Sequence, residues 1–584
     1  MLCEAPFFTV EKNQFNRKEM NMSPDEYGLL CDRILTETMQ YITTDKMRRH
    51  IIDKSYIKSR DPIYVSAVTS CSPITIAYTP VGSGKSALIK DRVEGLIRSN
   101  IPASNIAVLS MNIAKVKQTE LEMPGINCMT FSDFTHTIFM ANRQGYELSD
   151  ENSIVNTLRL CGQTPFRQTF LDRLSITNPQ DKTSLLTVFV NNHLDEVEAE
   201  LAAIHKIDYT LESMVCQNRM YQFDNNPFHL DEILINGVHN MPLHTLCCVL
   251  EYASMYGCNL YLTGMPDETI YEFNMAYGKA MNILSGYTNK LDIGIVRLAP
   301  IRMNQDIQNT LMRKEGVPVR TSFVTTANVN LKYIADTGNM LTQLFAPGPG
   351  YIDNKLANHE QILVLARSKA EIAEIRPVIT EYYGAKYPGL NIVDLTAIQS
   401  PASLWGTVLT KYYASLMAAY PQGINKVELY RRLWLMLGHE IETATSKHMK
   451  QLYQKSQDDL TKIAGSVWTQ DDWQNKPVIT RIQEVIDTES RQIQAYNQYI
   501  RDNVTLDLSS ANIIFSTIHS ATDIRCDNTV VYLKNFSDSV DENLYRIALS
   551  RANESEYLIF VNSDNFDVPV QQYLKHHLIN TSAI

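Results

Sequence analysis

The sequence predicts an α/β protein built on parallel sheets, and three observations carry this. Short apolar runs alternate with stretches of helical periodicity. The runs are continuous, as strands covered on both faces must be. No internal repeat or low-complexity tract breaks the alternation. In chain order the strand candidates are Ile74–Tyr78, Ile106–Leu109, Ile233–Ile235, Leu260–Leu262, Ile362–Leu365 and Thr529–Tyr532. Residues 1–59 read as an N-terminal helical extension. Two long segments, 136–225 and 376–505, lack the strand rhythm and read as helical insertions into sheet domains. In the second, Ile479, Ile482, Val485, Ile486, Ile493, Tyr496 and Ile500 recur at near-helical spacing, a stripe expected to pack on its own domain.

Composition bounds the function classes. A chain of 584 residues is too long for one core, and about three or four domains are expected. With 44% hydrophobic and 20% charged residues, the chain is neither a disordered tail nor a coiled coil. Its 53 basic and 64 acidic residues give a net charge of −11, which excludes a polybasic surface. Nucleic acid would have to be met in a local groove. The 10 cysteines form no C-x-x-C and no zinc-spaced cluster, so they read as buried free thiols in a reducing compartment. No apolar run reaches membrane-spanning length, and the start MLCEAPFFTVEKNQ lacks the pattern of a signal peptide. The expected location is intracellular, in the cytoplasm, or in the host cell if the gene is viral.

The sharpest local signal is Thr79-Pro80-Val81-Gly82-Ser83-Gly84-Lys85-Ser86, placed between the first strand and a helical run. A tight glycine turn there lets successive backbone N–H groups point at a phosphate chain, and the helix N-terminus adds a favourable dipole. Lys85 would reach the β- and γ-phosphates and the Ser86 hydroxyl would ligate magnesium. The pattern departs from G-x-x-x-x-G-K-[ST] at its first position, where Thr79 replaces glycine. The expected cofactor is ATP or another nucleoside triphosphate, with Mg²⁺.

Further elements follow in order. They are Ile106-Ala-Val-Leu-Ser-Met111-Asn112, Thr130-Phe131-Ser132-Asp133, and the long run from Gly264 to Ala276 containing Glu268 and Phe273. After them come Arg297-Leu-Ala-Pro-Ile-Arg302, Thr517-Ile-His519-Ser-Ala521 with Asp527-Asn-Thr-Val-Val, and Leu544-Tyr-Arg-Ile-Ala-Leu-Ser-Arg551-Ala552. Together with the phosphate loop, this series resembles superfamily 1 DNA helicases of the UvrD, Rep and PcrA group, over roughly residues 60 to 562. The resemblance implies two RecA-like motor domains, each interrupted by a helical insertion. The first would be 60–135 with 226–295, around the insertion 136–225. The second would be 296–375 with 506–584, around the insertion 376–505. In the family, ATP sits between the motors and single-stranded DNA crosses both.

The resemblance also shows what is missing. Where the family has D-E-x-Q-D, this chain has Asn236-Gly237-Val238-His239-Asn240. An amide lacks the charge a magnesium site uses, and glycine has no side chain to activate water. The pair Asp231-Glu232 precedes the strand and reads as a solvated strand entrance, away from the carboxyl ends where ligands bind. Tyr64 replaces the adenine-reading glutamine and either stacks on a base or packs. Glu268 stands for the γ-phosphate-sensing glutamine, Asn274 for an arginine, and Thr522-Asp523 for Lys-Gly. Arg302 and Arg551 remain and match the family's phosphate sensors. Phe273 matches its base-stacking aromatic, Met111 replaces another, and Asn112, Thr130, Phe131, Ser132 and His519 fall on its strand-contacting elements.

The expected protein is therefore a degenerate helicase. It would bind nucleotide, and nucleic acid weakly or with a partner's help, while hydrolysing ATP poorly. It would serve as a scaffold or accessory subunit of a replication, repair or transcription complex. The alternative is an active ATP-dependent translocase in which Glu268, Asp267 or Asp523 has taken over the acidic chemistry.

Overall fold

A computed structural model of the chain describes residues 23–59, 61–80, 83–161, 164–176, 178–299, 328–334, 351–396, 426–443, 508–521, 526–534 and 551–561, together with residues 450, 454, 457, 524, 544, 547 and 548. Arg302, Asp523, Val81, Gly82, Cys3 and the stripe from Ile479 to Ile500 lie outside them. The fold is α/β and its large sheets are parallel throughout. Among the described residues no helix is long and apolar enough to cross a membrane.

The first sheet has six strands: β1 (Ile74–Tyr78), β2 (Ile106–Ser110), β3 (Asn127–Thr130), β6 (Glu232–Asn236), β7 (Asn259–Gly264) and β8 (Ile293–Arg297). Their spatial order is β3-β2-β6-β7-β1-β8. The four inner strands are buried along their whole length, which is why they read as unbroken apolar runs. The strands β3 and β8 lie at the edges and are half-exposed, and neither shows such a run. Because β7 lies between β1 and β6, Ala77, Thr263 and Asn236 share one register level at the carboxyl end of the sheet. Helix α1 (Pro24–Met39) opens with a reciprocal Ser23–Glu26 cap. It docks by Tyr27, whose hydroxyl donates to the Ala276 carbonyl at 2.9 Å. Of the expected helical extension 1–59, α1 is the one helix among the described residues.

Helices α2 (Pro62–Val68), α3 (Lys85–Arg98), α4 (Ile113–Glu122) and α5 (Phe131–Asn142) follow in chain order. The second sheet comprises β9 (Asn328–Ile334), β10 (Ile362–Ala366), β11 (Ile392–Asp394), β12 (Ile513–Thr517), β13 (Cys526–Lys534) and β14 (Ala552–Val561). Its order is β11-β12-β10-β13-β14-β9. One apolar cluster unites Ile270, Tyr271 and Ala276, from beyond β7, with Leu363, Leu365, Ile514 and Ile518 of the second sheet.

The chain divides into two compact units. One holds both sheets. The other takes Arg143–Asn218 together with the described part of Gln399–Val504, so two segments far apart in sequence share a unit. It contains β4 (Glu147–Leu148) paired with β5 (Lys206–Ile207), and packs helices such as Glu151–Leu160 and Pro165–Leu174.

Three expectations need correction. The border at 376 falls inside the helix Lys369–Lys386, and β11 beyond it pairs with β12, so the second insertion begins after that strand. A three-residue strand at a sheet edge is too short to show periodicity. The border at 136 falls inside α5, whose Phe134, Ile138 and Phe139 are buried. The cysteines divide: Cys31, Cys216, Cys247, Cys248, Cys258 and Cys526 are buried, Cys128 is half-buried, and Cys71 and Cys161 are exposed.

Candidate nucleotide-binding cleft

The site begins where β1 ends. Thr79 is buried, and its backbone N–H donates to the Gly264 carbonyl at 2.8 Å, tying the loop to the end of β7. Gly84 takes φ +85 immediately before α3, a conformation that costs a side-chain-bearing residue strain. A Cβ there would meet nothing within 4 Å, so the glycine answers to the turn and not to crowding. No side chain caps the first turn of α3, and its N–H groups remain available to an anion. Ser83 is 2% exposed and its Oγ has no hydrogen-bond partner. Pro80 precedes it in the loop, and Ser86 is exposed on the first helical turn.

Beyond β6 the chain turns sharply. Asn236 is 3% exposed, and its Oδ1 is a buried acceptor without a partner. Gly237 adopts φ +86 and donates its N–H to the Thr263 carbonyl at 3.0 Å. Gly237, at the position where the resemblance expects a water-activating glutamate, thus sits in a left-handed conformation that glutamate would adopt only with strain.

Next comes His239, which the sequence reading passed over because it weighed this segment for its missing carboxylates. The signal was available: a histidine three residues past the end of a buried strand. It is buried, and its Nδ1 accepts the Met265 backbone N–H at 3.2 Å. The ring proton therefore resides on Nε2. Burial first, and then the nearby cations Lys85 and Arg551, hold its pKa well below the ordinary histidine value. The ring is neutral at pH 7. It presents Nε2–H toward Glu268 Oε2, 3.9 Å away. Asn240 Oδ1 accepts the Ile270 N–H at 3.2 Å and braces the turn after β7.

Several of these groups line one cleft of about 330 Å³, counting its open mouth. Lys85, Asn236, Gly237, His239, Asn240 and Glu268 come from the first sheet, and Met111 joins them from the end of β2. Ile547 and Arg551 enter from the second sheet's side. Lys85 Nζ is 3.8 Å from Glu268 Oε2. Arg551 is 5% exposed; its Nε donates to the Ile547 carbonyl at 3.1 Å and its Nη1 to the Ala521 carbonyl at 3.4 Å. A phosphate chain fits the cations Lys85 and Arg551 and the neutral imidazole N–H of His239 in this cleft, with the uncapped N–H groups of α3, whose first residue is Lys85, beside them. A divalent ion is less well served. Among the described residues, the cleft offers it the neutral Asn236 oxygen at the end of β6 and the carboxylate of Glu268.

Other expected site residues lie elsewhere. Tyr64 takes the packing alternative: it is 7% exposed, lies in one apolar cluster with Leu88 and Ile89 of α3, and donates its hydroxyl to Asp91 at 2.8 Å. It offers no face to a base. Thr130 caps α5, with its Oγ1 bonded to Asp133 at 2.7 Å and accepting the Asp133 N–H, and Phe131 is core. Ser132 is half-buried beside them. Asn112 caps α4 through the Lys115 N–H at 2.8 Å and reaches the Ser520 carbonyl at 3.4 Å. Phe273 is 41% exposed, with its ring against Tyr271 and His519. Glu232 is a correction. It is fully buried and paired with Arg92, which also holds the Val68 and Ser70 carbonyls, so it is a structural anchor and not a solvated entrance. Asp523 and Arg302 fall outside the described residues, as does the side chain of Asp267.

Comparison with protein-family models matched no family, and comparison with curated proteins found no match.

Proposed function

We propose that this chain is a two-motor protein of the superfamily 1 helicase type that binds a nucleoside triphosphate but turns it over poorly. It works as a nucleotide-gated scaffold or accessory subunit on single-stranded nucleic acid, with other proteins of a replication, repair or transcription complex. The observation that carries the reading is the end of β6. An amide with an unpartnered oxygen and a left-handed glycine stand where catalysis calls for two carboxylates. The phosphate loop, Lys85 and Arg551 support binding, because they supply charge and donors without supplying a base. Two parallel sheets sharing an apolar cluster support the two-motor architecture.

The test pairs binding with turnover. Nucleotide should raise the melting temperature by mass action, and Lys85→Ala should remove the shift. Turnover with saturating single-stranded DNA should fall well below the ~10 per second typical of enzymes. Robust DNA-stimulated hydrolysis, lost in Lys85→Ala, would overturn the reading. One observation favours the second reading, an active translocase: Glu268 brings a carboxylate into the cleft. In that case Glu268→Gln would abolish turnover.

A further inference from the structure

The turn Pro266–Glu268 follows β7, the strand between the phosphate-loop strand and β6. It delivers Glu268 into the middle of the cleft, where its side chain is 12% exposed. One carboxylate oxygen, Oε2, faces two donors. Lys85 Nζ lies 3.8 Å away and His239 Nε2 lies 3.9 Å away. The histidine can only donate there, because its Nδ1 is already committed to the Met265 N–H. The same commitment argues against a metal on Nε2, since a ligating Nε2 would need the ring proton moved to Nδ1. The lysine is the one that the loop's sequence pattern assigns to a phosphate.

We propose that Glu268 is an internal occupant of the phosphate position, a carboxylate that a nucleotide must displace from Lys85 and His239 before its phosphates can bind. Two anionic oxygens in one poorly hydrated site repel, so the carboxylate lowers affinity for the ligand by competing for the same donors. On displacement, His239 Nε2–H becomes a neutral donor to a phosphoryl oxygen. Glu268 therefore sets an affinity threshold, and the protein responds only to a high concentration of a polyanionic phosphate ligand. The inference rests on the nucleotide-binding reading and adds a residue that opposes it.

The experiment is calorimetric titration of the full-length chain with a non-hydrolysable ATP analogue and, separately, with inorganic pyrophosphate. Each is run with and without Mg²⁺, on wild type, Glu268→Gln, Glu268→Ala and Lys85→Ala. Removing the charge should tighten binding about tenfold or more in both Glu268 variants, with either probe and without Mg²⁺. Lys85→Ala should bind neither probe. Unchanged affinity in the Glu268 variants, with wild-type binding intact, overturns the internal occupant and leaves the nucleotide reading standing. Weaker binding confined to the Mg²⁺ titrations also overturns it, by assigning Glu268 to a cation. No binding by any variant overturns both.

Discussion

The hydroxyl of Tyr271 donates to the main-chain carbonyl of His519 at 2.7 Å, and the two rings meet edge to face with centroids 5.4 Å apart. This contact joins the turn after β7 to the turn after β12, at the margin of the shared apolar cluster. Removing the hydroxyl leaves the carbonyl part-buried and short of a partner. Tyr271→Phe should therefore lower stability by about 1 kcal/mol, and Tyr271→Ala by about 3 kcal/mol because ring packing is lost as well. Urea unfolding followed by tryptophan fluorescence and circular dichroism measures both. Equal midpoints for wild type and Tyr271→Phe would remove the bond from the account.

Gly237 separates space from conformation. A Cβ there would meet His239 Cε1 at an ordinary 3.6 Å, so nothing blocks it sterically, but φ is +86. Gly237→Ala should cost about 1–2 kcal/mol, read from thermal unfolding. Gly237→Glu should carry the same strain and is a poor way to restore a catalytic base.

Asn236→Asp is the cleaner restoration, and its signature is cation dependence. The new carboxylate would be buried with no partner for the oxygen that is already unsatisfied. Without Mg²⁺ the variant should lose about 1–3 kcal/mol. Mg²⁺ with nucleotide should return most of that, while wild type shows a smaller cation effect. Melting curves across a Mg²⁺ series decide it, and parallel curves for the two proteins would count against a cation position beside Asn236.

Phe273 and Thr130 should behave oppositely although the helicase resemblance expects a strand contact from both. Phe273 is exposed beside Tyr271 and His519, so Phe273→Ala should weaken single-stranded DNA binding by about 1–3 kcal/mol with little change in stability. Thr130 is spent on capping α5, so Thr130→Ala should cost about 1 kcal/mol of stability and leave DNA affinity nearly unchanged. Fluorescence anisotropy at one fixed salt concentration, beside unfolding curves, tests both.

His244 makes the fold acid-sensitive. It is 1% exposed in the helix Leu243–Tyr256, and burial pushes its pKa down to about 4. The unfolded chain takes up a proton near pH 6.5, whereas the folded chain resists until about pH 4. The stability this withholds is fully present above pH 6.5 and is lost as pH falls through that window, to a total of about 3 kcal/mol. His239 is depressed in the same direction and adds to the slope. His244→Gln should flatten the dependence of the urea midpoint on pH between 6.5 and 4. An unchanged slope would mean that His244 is not the group responsible.

The parts that the sequence determined by itself are those ruled by local physics. A strand covered on both faces carries a continuous apolar run, and β1, β2, β6, β7, β10 and β13 announce themselves that way. The edge strands β3 and β8 and the short β11 carry no such run and went unread; β9, β14 and the fully buried β12 were not picked out either. The phosphate loop was legible because a strand-to-helix turn needs a residue at positive φ, and Gly84 supplies it. The absent carboxylates after β6 were legible for the same reason, being a matter of residue type at a local position. Tertiary structure decided how the remaining polar groups are used. Thr130 closes a helix, Tyr64 and Glu232 are taken into the core, and His239 is fixed as a donor by a backbone amide from another turn. Above all, Glu268 meets Lys85 because β7 is inserted between β1 and β6. Strand order is a long-range outcome of packing many segments at once, and no local pattern of residues encodes which turn will face which.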